Sequence, residues 1–185
     1  MHAETRARRT PPAEVAARAR RVRLVLLDVD GVLTDGTVLV DHRGRELRAF
    51  SARDADGIAF LLHAGIRVAV LSRRRAGAVT QRARSLGLSA VVQGSDDKLA
   101  AARRLCRRWG LTLDQACVVS DDPLDEPLLA SVGLAAGVAG GNAGLARHLH
   151  WRTAARGGAG ALCEVAEVLL RCQGRWARVL GDVMR

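Results

Sequence analysis

Residues 22–34 read VRLVLLDVDGVLT, from Val22 to Thr34. Val22–Val29 is a near-continuous apolar run of strand length. A run without polar alternation is what a central parallel strand, buried on both faces, requires. It ends in two aspartates, Asp28 and Asp30, followed by Gly31. In an open α/β sheet the ligand crevice lies at the carboxyl ends of the strands. This one stretch therefore points to a fold class and to a site together.

Working outward, the pattern first makes a hairpin and then alternates. Thr37–Val40 and Glu46–Phe50 are short runs joined by Asp41-His42-Arg43-Gly44-Arg45, a polar connector with glycine, which predicts a β-hairpin. Asp54 is the expected cap of a helix that carries Ile58, Leu61 and Leu62 and stops near Gly65. Strands are expected at Arg67–Leu71, Ala90–Val92, Cys117–Val119 and Leu134–Gly137. Helices are expected at Ala76–Leu86, Leu99–Trp109, Pro123–Val132 and Asn142–His148, with a final one at Gly160–Cys172. Strict alternation means βαβ units, hence an α/β, Rossmann-like parallel sheet with helices on both faces and a hairpin flap after the first strand. Residues 1–21 read as a basic Arg/Ala-rich extension, either disordered or a short helix after Pro11–Pro12. Residues 22–175 are the domain, and 176–185 a tail.

Composition narrows the class. The chain has 185 residues, 49% hydrophobic and 26% charged, which fits one compact domain and excludes a disordered protein or a small disulfide scaffold. Its longest apolar runs fall well short of the roughly 20 residues of a membrane helix, and no secretory signal pattern opens the chain. The expectation is a soluble, cytoplasmic protein. Cys106, Cys117, Cys163 and Cys172 form no CxxC pair and read as free thiols. The net charge is +10, but with no Tyr, two Phe and three Trp there is little to stack on bases, so nucleic acid is not the expected partner. The three tryptophans read as packing residues and the five histidines, without ligand spacing, as surface. Among 29 basic residues only Lys98 is a lysine. A lone ammonium in an arginine-rich chain reads either as a place where a compact, rotatable donor is wanted or as the chance survival of one lysine, and composition does not separate the two.

The chemistry-bearing residues fall at strand ends. The first strand ends at Asp28 and Asp30, the second at Ser72, and the fourth at Ser120-Asp121-Asp122 with Asp125 beyond, while Lys98 opens the helix after the third. Converging carboxylates repel one another: two like charges at about 4 Å cost ~1 kcal/mol in water and several times that in a protein crevice. A divalent cation relieves this, and oxygen-only ligands favour magnesium. An acidic cluster with one hydroxyl and one ammonium is a set suited to phosphoryl transfer through a carboxylate nucleophile.

DVDGVLTDG (28–36), Ser72, Lys98 and SDDPLD (120–125) resemble the four motifs of haloacid-dehalogenase-like (HAD) phosphatases. Between them, the pattern of Gly36, Gly44, Glu46, Phe50, Arg53, Asp54, Gly57 and Ile58, the Gly87–Gly94 segment, and VGLAAGVA followed by GGAGALCE resemble one branch. That branch comprises 3-deoxy-D-manno-octulosonate 8-phosphate phosphatases and their relatives acting on nine-carbon ulosonate phosphates. The similarity spans roughly residues 22–175. It implies that Asp28 is the nucleophile, that Asp30 is the general acid and then base, and that Asp28, the Asp30 carbonyl and Asp121 hold Mg2+. Ser72 and Lys98 would bind the phosphoryl group, with Asp122 and Asp125 supporting the metal ligands. Arg53, Asp54, Gly57 and Arg74 are the substrate-binding candidates. Arg53 and Asp54 read equally as surface charge and helix cap, and Arg73–Arg75 as a solvated helix entrance with Arg74 the exception.

Spacing leaves no room for a cap domain: 42 positions separate Asp30 from Ser72, and 23 separate Lys98 from Asp121. The resemblance implies a homotetramer in which hairpins cover the open crevice, and Thr37–Phe50 is the matching element. Three positions depart from the branch's pattern. Ser72-Arg73-Arg74 stands for Thr-Gly-Arg, Ser120 for a glycine, and Ala159 for the arginine of Gly-Gly-Arg-Gly-Ala. These changes bear on the substrate, a phosphorylated octulosonate or, as the alternative, a nine-carbon ulosonate 9-phosphate or other phosphosugar. A non-catalytic oligomerisation module is the reading from another class, and the intact Asp28/Asp30 pair argues against it.

Overall fold

The computed structural model describes residues 11–183. β1 (Leu24–Leu27), β4 (Arg67–Ser72), β5 (Ala90–Gln93), β6 (Ala116–Val119), β7 (Leu134–Ala139) and β8 (Trp151–Arg156) form one sheet in the order β5-β4-β1-β6-β7-β8. Every pairing in it is parallel. The chain runs outward from β1 to β5, then returns to start again beside β1 at β6. That reversal puts the topological switch point, and so the ligand crevice, between the carboxyl ends of β1 and β6. β2 (Leu39–Val40) and β3 (Glu46–Leu47) pair antiparallel as a separate hairpin, with Leu39 opposite Leu47. Its connector is shaped by Asp41, whose carboxylate accepts the Arg43 and Arg45 amides, and by Gly44 at φ 73°.

The apolar run of β1 is buried on both faces. Val25 and Leu27 face α1 (Ala13–Arg21), α2 (Ala52–His63), α3 (Gly77–Ser85), α6 (Ala161–Cys172) and α7 (Trp176–Val183). Leu24 and Leu26 face α4 (Lys98–Arg108) and α5 (Glu126–Leu129). This period-2 division of one strand between two cores is what keeps it apolar throughout. No cap domain interrupts the fold, and no helix among the described residues is long and apolar enough to cross a membrane.

Several expectations differ from what is found. The short helix after the prolines is α1, and it is tied in: Val15 and Ala19 are buried in the core, and Arg18 donates to the Gly133 carbonyl. Residues 1–10 of the extension lie outside the described residues. The stretch read as a tail is largely α7, which buries Val179 and sets Trp176 edge-on to Phe60 at 5.6 Å. Residues 142–148, expected as an α-helix, form a 3-10 helix capped by Asn142. The expected helix at 123–132 is a 3-10 turn leading into the four-residue α5. β8 went unread, because an edge strand is half-exposed and this one carries Arg152 and Arg156, the charges that protect a sheet edge. His150, expected at the surface, is half-buried beside this edge, where its Nδ1 accepts the Ala135 amide at 2.9 Å.

Candidate active site

The carboxyl ends of β1, β4 and β6 and the start of α4 enclose a crevice of about 460 Å3. Asp28, Asp30, Ser72, Arg73, Arg74, Lys98, Asp121 and Asp122 line it, with Pro123 and Leu124 at its lip. Each side chain is placed by a local reason. Asp28 extends β1 by one more ladder bond, its amide donating to the Val119 carbonyl at 3.0 Å. Lys98 follows Asp97, whose carboxylate caps α4 by accepting the Ala100 amide, so the ammonium leaves the first turn of a helix anchored in the core. Asp121 leaves the end of β6 against Gly31, where a Cβ would sit 2.0 Å from Asp121 Oδ2. Only glycine admits this approach, and its φ of 87° is one that other residues rarely adopt.

Lys98 Nζ donates to Asp28 Oδ1 at 2.8 Å and to Asp125 Oδ2 at 2.7 Å, and all three side chains are almost wholly buried. Burial raises the Asp28 carboxyl above the ordinary 3.8, against the opposing pull of Lys98. Asp121 is pushed up to about 6, first by burial and then by the negative charge of Asp28. Its Oδ1 is buried without a hydrogen-bond partner. A buried acceptor beside a second carboxylate, both penalised for their charge, is the donor set a hard divalent cation fits. Among the described residues no three His, Cys, Asp or Glu side chains stand in a metal-holding arrangement. The carboxylates that converge here are those of Asp28 and Asp121.

Two arginines complete the electrostatics: Arg48, which the sequence reading did not single out, and Arg73, which it noted only as a departure and as solvated. Arg48, reaching in from just after the hairpin's second strand, donates through Nε to Asp30 Oδ1 at 2.9 Å and through Nη1 to Glu46 at 2.7 Å; its buried Nη2 has no hydrogen-bond partner. Arg73, expected to be solvated, is instead bound to Asp122, Asp125 and the Leu124 carbonyl, with 22% of its side chain exposed. Arg74, the substrate-binding candidate of the pair, lines the crevice with 65% of its side chain exposed and pairs loosely with Asp30 at 3.8 Å. Arg48 lies in Glu46–Phe50, a run that read only as a strand, so no local signal marked it.

Three substrate-binding candidates lie elsewhere. The Asp54 carboxylate is buried and caps α6, accepting the Gly160 amide at 3.1 Å and the Leu162 amide at 2.7 Å. It does not cap its own helix, a task taken by Ser51. Gly57 is a packing glycine, since a Cβ there would meet the Cys163 backbone at 2.6 Å. Arg53 lies against Gly160, outside the crevice lining. Ala159 is exposed, on the loop where Gly157 and Gly158 press against the backbone of residues 31–35.

A capless Rossmann-like sheet with a strand-end acidic cluster, a serine and a buried lysine defines a phosphatase of the HAD type. No family model matches the chain, but its relatives are close. The 3-deoxy-D-manno-octulosonate 8-phosphate phosphatase KdsC of Escherichia coli K12 is 38% identical over 170 residues, 92% of this chain and 90% of that one. A hypothetical protein from Xanthomonas campestris superposes with a TM-score of 0.89 at 42% identity, covering 92% and 93%. The Moraxella catarrhalis KdsC, solved with magnesium, phosphate and KDO, superposes with 0.89 at 31% identity, covering 92% and 98%. The chain belongs to the KdsC family of HAD-superfamily phosphatases, hydrolases of phosphoric monoesters.

Proposed function

We propose that this protein is a Mg2+-dependent phosphomonoesterase that hydrolyses a phosphorylated sugar acid of the 3-deoxy-octulosonate 8-phosphate type through an aspartyl-phosphate. The observation that carries the reading is the convergence of Asp28, Asp30, Ser72, Lys98 and Asp121 on one crevice. Asp28 and Asp121, with the Asp30 carbonyl, would hold Mg2+, which when bound offsets the charge of the carboxylates and the phosphate. Ser72 and Lys98 hold the phosphoryl oxygens. An Asp28 carboxylate oxygen bonds to phosphorus as the bond to the sugar oxygen breaks, and Asp30 gives that oxygen its proton. A water then passes its proton to Asp30 and bonds to phosphorus, and the bond to Asp28 breaks. Asp122 and Asp125 support the site from behind.

The hairpin supports a homotetramer. Leu39, Val40 and Leu47 are 61%, 64% and 57% exposed beside an open crevice, an apolar patch suited to burial by another copy. The four unpaired cysteines support a cytoplasmic location. A nine-carbon ulosonate 9-phosphate is the second substrate reading, favoured by Ser72-Arg73-Arg74 and by the absence of a guanidinium at exposed Ala159.

The test is phosphate release from 3-deoxy-D-manno-octulosonate 8-phosphate, nine-carbon ulosonate 9-phosphates, hexose phosphates and an aryl phosphate, with and without Mg2+, for wild type and Asp28→Asn. Metal-dependent turnover that Asp28→Asn loses is the expected result. A folded protein that turns over none of them overturns the phosphatase reading in favour of the assembly module.

A further inference from the structure

Two side chains tie the loop after β4 to the loop after β6. Arg73 Nη1 donates to Asp122 Oδ2 at 2.6 Å, and its Nη2 donates to the Leu124 carbonyl at 2.6 Å and lies 3.3 Å from Asp125 Oδ1. From the other side, Ser120 Oγ donates to Asp125 Oδ2 at 2.7 Å and accepts the Asp122 amide at 3.2 Å. The same Asp125 Oδ2 accepts from Lys98, which goes on to Asp28. The contacts form one chain from Arg73 through Asp125 and Lys98 to Asp28, with Ser120 bracing Asp125.

Charge explains why such a chain matters. Lys98 carries one positive charge and is shared between two buried carboxylates, and a buried carboxylate is stable only when its charge is balanced and its lone pairs are engaged. Arg73 supplies the second cation against Asp125 and Asp122, leaving Lys98 to Asp28 and an arriving phosphate. Ser120 holds Asp125 in one orientation, which pins the four-carbon lysine stem at its far end. The bond to the Leu124 carbonyl also secures the lip of the crevice. Both Nη groups of Arg73 are spent on these loops, whereas Arg74 is 65% exposed and held only by a 3.8 Å pairing with Asp30. Glycine at either position, as in the pattern from which this chain departs there, makes none of these bonds.

We propose that Arg73 and Ser120 are a pair of positioning residues that act through Asp125 to fix Lys98 toward Asp28; the proposal rests on the phosphatase reading above. The chain's lone lysine makes this measurable apart from activity. Lysine labelled with 13C and 15N gives a single side-chain ammonium signal. In the wild type it is ordered and exchanges slowly with water. In Arg73→Gly and in Ser120→Gly it broadens and exchanges rapidly. In steady-state kinetics, both variants lower kcat about 10-fold or more, the order expected of a displaced catalytic group, while KM holds. The loss is the same on octulosonate 8-phosphate and on p-nitrophenyl phosphate, which has no sugar. Arg73→Lys restores part of it, and the double variant loses less than the product of the single losses.

A rise in KM confined to the sugar-acid substrate overturns the proposal and makes Arg73 a substrate contact. Turnover with a lysine signal indifferent to both variants also overturns it, leaving the phosphatase reading intact. No turnover of either ester by wild type overturns that reading, and the catalytic half of the proposal with it, whatever the lysine signal does.

Discussion

Lys98 Nζ and Asp28 Oδ1, seventy positions apart in the chain, meet at 2.8 Å at the base of the crevice. Among the described residues the ammonium is the only cation paired with the residue placed as nucleophile, and a second contact commits it to Asp125. Replacing it by methionine removes that charge, strands Asp28 and leaves Asp125 with only Arg73 and Ser120. We expect Lys98→Met to lose about 3 kcal/mol of stability in urea denaturation at pH 8, the cost of breaking a buried pair from one side. The deficit narrows toward low pH, because the stranded Asp28 carboxyl, already raised by burial, then escapes its penalty by taking up a proton. Activity falls by about 100-fold or more.

Asp121 titrates near 6 in the folded chain against an ordinary 3.8. Between those values the folded protein keeps a proton that the unfolded chain has lost, so this group's contribution to stability is present at low pH and is lost as the pH rises through 6. Asp121→Asn should therefore melt above wild type at pH 8 in EDTA and level with it near pH 4. Added Mg2+ should raise the wild-type melting temperature at pH 8 and leave that of the variant unchanged.

The α2–α6 seam is structural, and its residues should behave accordingly. Asp54→Ala leaves the Gly160 and Leu162 amides without their acceptor in a buried place, a loss of about 1–3 kcal/mol. Gly57→Ala forces a methyl onto the Cys163 backbone, an overpacking cost of about 1–3 kcal/mol. Thermal melting should register both, with KM unchanged. A raised KM at an unchanged melting temperature would return these residues to the substrate site.

The apolar hairpin should govern assembly and leave the folding of a single chain alone. Leu39→Ser combined with Leu47→Ser should shift sedimentation from a tetramer to smaller species. Because both side chains are exposed within one chain, its intrinsic stability should change by no more than about 0.5 kcal/mol per site. An unchanged sedimentation coefficient would remove the hairpin from the interface.

What could be read along the chain was what is local. The apolar run at 24–27 announced a strand buried on both faces, because a parallel strand has no polar side to show. Glycine stops marked the helix ends: Gly65, Gly87 and Gly110 all sit at positive φ just after α2, α3 and α4. Strand-end chemistry was equally open to reading, since the alternation fixes which end of the sheet carries Asp28, Ser72 and Asp121. β8 was not, because an edge strand needs only half an apolar face and its charges imitate a loop.

The amino-acid sequence by itself determined the α/β alternation and the groups gathered at the crevice, which follow from periodicity and from position at a strand end, as well as the capless spacing and the family, which follow from its motifs, their separation and their resemblance. Only the tertiary structure decided what several of those groups do. Asp54 serves amides 106 and 108 positions away, and Arg73 an aspartate 49 positions away. Arg48 arrives from a hairpin to hold Asp30. Partners this remote are chosen by the crossover that sets the loops after β1, β4 and β6 side by side, and a charged side chain carries no local mark of which charge the fold will bring to it.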